Sequence, residues 1–109
     1  MVCRMGGMYR MQDLFELVAH QGAEELQLEP GRPPVMVLHG KARVVDGTLV
    51  TSDVVAELFR SIATDEQAQE LLRCGDIHFN FMAQHSARFK IHAAVDGGHL
   101  KLTARNLSR

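Results

Sequence analysis

Six histidines (His20, His39, His78, His85, His92 and His99) are the residues best suited to metal chemistry, because a neutral imidazole is a common ligand for zinc or copper. Their spacing does not gather them. No two stand four apart on one helix face, and they fall on several different elements. His78 and His92 are expected to face each other across a hairpin on its polar side, which gives two ligands where a structural zinc site has four. The histidines therefore read as surface residues, and no metal is expected. Nucleophilic catalysis is no better served, since neither a serine nor a cysteine stands in a strained turn with a base nearby. Phosphate chemistry needs a glycine-rich turn followed by lysine and a hydroxyl residue. The one Gly-Lys pair, Gly40-Lys41, is followed by Ala42 and lies in a strand turn. No acidic residue stands at the end of an apolar strand in a position to hold magnesium. Neither catalytic residues nor a cofactor are expected, and the chain reads as having no ATPase activity of its own.

Positive charge is the feature with most functional promise. Arg88, Lys90, Lys101 and Arg105 occupy alternate positions of two alternating segments, with His92 among them. Period two sends all five to the same polar sheet face. That concentration is hidden in the totals, which are 12 basic against 13 acidic side chains and a formal net charge of −1. The alternative is a solvated face whose charges only confer solubility. With no global field to favour phosphate backbones, nucleic acid is not an expected partner.

The elements that position these residues follow from periodicity. Leu14, Leu17 and Val18 form the stripe of a short helix over 13–20, which Gly22 ends in a left-handed turn. Glu25 to Leu28 alternates as a strand, and Pro30, Pro33 and Pro34 make the following loop stiff. Val35 to His39 is an apolar strand ending at Gly40. Ala42 to Val45 is expected to pair with Thr48 to Val50 through the type I′ turn residues Asp46-Gly47. Thr51 caps a helix from Ser52 to Ala63 with Val54, Val55, Leu58, Phe59 and Ile62 on one face. Thr64-Asp65-Glu66-Gln67 fits a capping box opening a second helix that stops at Gly75. Three strands follow, with Ile77, Phe79 and Phe81, then Phe89, Ile91, Ala93 and Val95, then Leu100, Leu102 and Ala104 on the apolar side. A turn at Asp96-Gly97-Gly98 joins the last two.

At 109 residues, with 46% hydrophobic and 23% charged side chains, the chain is large enough to bury a core without staples. A flexible arm over 1–10 and one domain over 11–109 are expected, with no internal repeat. Met5, Met8 and Met11 leave the true start open. The apolar runs are far shorter than the ~20 residues that cross a bilayer, and no signal peptide is visible. Cys3 and Cys74 suit a reducing compartment, so a cytoplasmic location is expected, with Cys74 a half-buried, inert thiol.

The segments Thr51-Ser52-Asp53-Val54-Val55, Thr64-Asp65-Glu66-Gln67, Gly75-Asp76-Ile77-His78-Phe79, Arg88-Phe89-Lys90-Ile91 and Gly97-Gly98 occur in tight order. Together they resemble the amino-terminal domain of the type IV pilus retraction ATPases, the PilT twitching-motility family. The resemblance reaches back through Pro33-Pro34 to the first helix. It implies an α+β fold, PAS-like, with an antiparallel sheet of five or six strands and three helices covering one face. In that family a RecA-like motor domain would follow, whereas this sequence ends at Ser108-Arg109. The resemblance further implies that basic residues such as Arg88 and Arg105 approach a nucleotide held by a neighbouring subunit. Lys90 departs from the arginine more common there, as do Glu24 to Leu28 and Val37 from the family pattern. The function expected is a non-catalytic interaction or regulatory module of the pilus, twitching-motility or type II secretion machinery. It would dock on a PilT-like ATPase or another motility protein, or self-associate as a homo-oligomer. The second expectation is a PAS-like small-ligand sensor with a pocket between sheet and helices.

Overall fold

The computed structural model describes residues 10–45, 49–83 and 87–107. Its elements are α1 (Met11–Gln21), β1 (Glu25–Leu28), β2 (Val35–Leu38), β3 (Lys41–Val44), α2 (Ser52–Ile62), α3 (Asp65–Cys74), β4 (Asp76–Met82), β5 (Arg88–Asp96) and β6 (His99–Asn106). The strands form one antiparallel sheet in the order β3-β2-β1-β6-β5-β4. This is an α+β fold, an open six-stranded sheet with three helices. The expected arm falls almost wholly outside the described residues, as does the Asp46-Gly47 turn.

Side-chain chemistry at the element ends explains where the helices start and stop. The Thr51 hydroxyl accepts from the Val54 amide at 3.2 Å, satisfying a donor that the first turn of α2 leaves free. At α3 the device is reciprocal: Thr64 accepts from the Gln67 amide at 3.1 Å, and the Gln67 side chain accepts from the Thr64 amide at 2.9 Å. Thr64→Ala is expected to lower stability by about 1 kcal/mol, read as a lower urea midpoint at unchanged slope. Gly75 closes the helix at φ 87°, a left-handed conformation open to glycine without a Cβ penalty.

Two tight turns fix the register. Leu38 opposes Lys41 around His39-Gly40, and Asp96 opposes His99 around Gly97-Gly98. All four loop residues have positive φ, as a type I′ turn demands. The β2–β3 hairpin therefore turns at His39-Gly40. Leu49 and Val50, expected in a strand, are in none. Val50 is instead fully buried and exchanges backbone bonds with the proline loop, its amide donating to Arg32 and its carbonyl accepting from Gly31. An apolar residue used as a plug gives the same local signal as a strand end.

The core lies between the helices and one sheet face. Met11, Leu14, Phe15 and Val18 of α1, Val55, Leu58 and Phe59 of α2 and Leu71 of α3 pack with Leu26, Leu28, Met36, Ile77, Phe89, Ile91, Ala93, Leu102 and Ala104. Phe15 stacks on Phe89 with ring centroids 4.3 Å apart and meets Phe81 at 5.5 Å. Aromatic rings thus fill the space between α1 and the sheet. Two surface grooves of about 620 and 520 Å³ flank α1, the second running toward α2. Phe79 and Phe81, expected in the core, are half-buried and pack against its margin on the edge strand β4, whose Ile77 is buried. Cys74 is also corrected: it is exposed at the end of α3, not half-buried.

Candidate interaction face

Strand alternation divides the sheet into two faces, and the second is covered by none of the described helices. Along β5, Phe89, Ile91 and Ala93 are buried while Arg88 and Lys90 are exposed and His92 and Ala94 half-buried. Along β6, Leu102, Ala104 and Asn106 are buried while Lys101 and Arg105 are exposed and Thr103 half-buried. All five residues expected on the polar face are therefore on it. Register supplies their neighbours, with Lys90 opposite Arg105, His92 opposite Thr103 and Ala94 opposite Lys101.

The structure divides these five by partner. Lys101 reaches Asp96 at 3.4 Å, and His92 Nε2 lies 3.3 Å from Asp76 Oδ2. Arg88 sits at the far end of β5, opposite Met82, and its carbonyl accepts from the Leu107 amide at 2.8 Å. Neither Lys90 nor Arg105 makes a salt bridge with another described residue. Directly opposed like charges on adjacent strands are destabilising, with Cβ atoms roughly 4.5–5.5 Å apart. Lys90 and Arg105 are thus the like-charged centre of the face, with no salt bridge to another described residue although Glu25 stands across from Arg105 on β1, and an approaching carboxylate would relieve the pair.

Several residues of the face had no role in the sequence reading. Glu25 of β1 stands opposite Arg105, and its carboxylate accepts from Gln27 at 2.9 Å. Asn80 of β4 stands opposite Lys90. Asp76 and His78 adjoin His92, with the His78 and His92 rings stacked at 4.1 Å and their planes parallel to within 1°. Glu25 and Gln27 show the same alternation as the basic residues, but only the strand order puts β1 beside β6. No described helix is long and apolar enough to cross a membrane.

No protein-family model matches the chain, and no curated protein matches it. Solved structures do. The pilus retraction motor PilT with bound ADP superposes with a TM-score of 0.82 at 20% identity, covering 89% of this chain and 29% of that one. The ATPase DotB of Legionella pneumophila gives 0.75 at 18% identity, covering 91% and 29%. DotB of Yersinia pseudotuberculosis gives 0.74 at 10% identity, covering 97% and 32%. The chain thus has the fold of a segment of these pilus-retraction and DotB ATPases, spanning less than a third of each.

Proposed function

We propose that this chain is a non-catalytic interaction module of pilus or secretion machinery, which docks on a PilT-like ATPase through its uncovered sheet face. The observation that carries this reading is the directly opposed, like-charged pair Lys90 and Arg105 on a face that the described helices leave open. Likeness in fold to segments of PilT and DotB supports the choice of partner. A domain of the same shape can occupy the place of the motor's own equivalent segment and so change its turnover. The surface it meets there is acidic, since a like-charged surface would cost several kcal/mol. The setting proposed is cytoplasmic.

The test is co-migration of the purified chain with a PilT-type ATPase, together with the ATPase rate at increasing chain concentration. Binding with altered turnover supports the proposal; no complex and an unchanged rate overturn it. Lys90→Glu separates docking from folding. It replaces a like-charge pair by an opposite-charge pair with Arg105, so stability should rise by about 0.2–1 kcal/mol. Docking should weaken by about tenfold or more, because the new charge faces an acidic partner. A Lys90→Glu chain that binds as well as the parent would show that this face is not the one used.

A further inference from the structure

The geometry points to a divalent transition-metal site formed by Asp76, His78 and His92 on the uncovered face. Their ligand atoms all lie within 4.8 Å of one another. Sequence spacing gave two imidazoles at most; the structure adds a carboxylate as third donor. Asp76 and His78 are two apart on β4, hence on the same face, and His78 is directly opposite His92 on β5. Two hydrogen-bonded strands therefore hold all three donors in a fixed register.

The distances suit a small ion. His92 Nε2 and Asp76 Oδ2 are 3.3 Å apart. Two ligands at 2.0–2.1 Å from a tetrahedral zinc stand about 3.3–3.4 Å apart, so this pair needs almost no movement. The stacked rings of His78 and His92 are parallel, so their in-plane lone pairs do not converge as they stand, and rotation of the exposed His78 ring about its side-chain torsions is the movement that binding requires. Solvent permits that rotation, since Asp76 and His78 are exposed and His92 is half-buried. Two imidazoles and one carboxylate favour zinc, copper or nickel over the all-oxygen preference of magnesium or calcium. The ion is Zn²⁺, with a water completing the coordination on the solvent side.

The test is calorimetric titration of the full chain with ZnCl₂, in a Cys3→Ser/Cys74→Ser background that removes thiolate binding. It uses the chain alone, so its result is independent of docking on an ATPase. One equivalent of Zn²⁺ is expected to bind, while MgCl₂ gives no binding. His78→Ala, His92→Ala and Asp76→Asn should each weaken Zn²⁺ by at least about tenfold, since even loss of a group that merely orients a ligand costs that much. His20→Ala, His39→Ala, His85→Ala and His99→Ala should leave it unchanged. Circular dichroism of each variant establishes that it is folded. No Zn²⁺ binding by the parent, or the same affinity in the His78→Ala/His92→Ala double variant, overturns the site.

Discussion

Replacing Phe89 by alanine is expected to lower stability by about 3–5 kcal/mol, roughly a fifth or more of the about 5–15 kcal/mol that a domain has. Phe89 is fully buried, stacked at 4.3 Å on Phe15 of α1, and it sits on β5 between two paired strands. Its removal leaves a cavity that the sheet cannot close, because the backbone on both sides is held by ladder hydrogen bonds. α1 loses the stacking contact of Phe15 with the sheet at the same time. The measurement is urea unfolding followed by circular dichroism, in which the midpoint falls while the slope is kept. Phe79→Ala on the edge strand is the comparison. Phe79 is half-buried and meets Phe59 edge-on at 6.4 Å, so its loss should be clearly smaller. Equal losses at the two positions would mean that the core is not centred where Phe15 and Phe89 meet.

That contrast marks the boundary of what periodicity can tell. Alternation assigned Phe79, Phe81 and Phe89 to the same side, and all three are there. It carries no information on depth, which depends on what packs over each position: on the edge strand β4 Ile77 is buried while Phe79 and Phe81 are half-buried. The strand order is set by long-range pairing of β1 with β2 and β6, for which a short stretch such as Glu25 to Leu28 holds no mark. Caps were legible because their chemistry is local: Thr51, Thr64 with Gln67, and Gly75 each act within four residues. The hairpin at His39-Gly40 was obscured because His39 adopts φ 53° without being glycine or asparagine. At the candidate face, alternation placed Arg88, Lys90, His92, Lys101 and Arg105 together. It did not show that Asp76 and Asp96 partner His92 and Lys101, which leaves Lys90 and Arg105 as the charged centre.

Asn106→Asp, a change of one atom's chemistry at nearly constant volume, is expected to cost at least about 3 kcal/mol. Asn106 is 7% exposed, and its side-chain amide donates to the Ala23 carbonyl at 3.0 Å. Its backbone amide donates to the Glu24 carbonyl at 2.8 Å, so the end of β6 is tied to the turn between α1 and β1. A carboxylate in that place turns an acceptor toward an acceptor and buries a charge. The deficit should shrink as the pH is lowered, because a protonated carboxyl regains an O–H that can donate to Ala23. Asn106→Leu removes the donor without adding charge, and its loss should be smaller, about 1–3 kcal/mol, and insensitive to pH. This tie also bears on function. Asn106 is next to Arg105 and opposite Phe89, so the bond that fixes Asn106 also holds Arg105 between Lys90 and Glu25. In folded Asn106→Leu chain, docking on the ATPase should therefore weaken although no charge of the open face has changed. Full docking by that variant would show that the register at the end of β6 has no part in recognition.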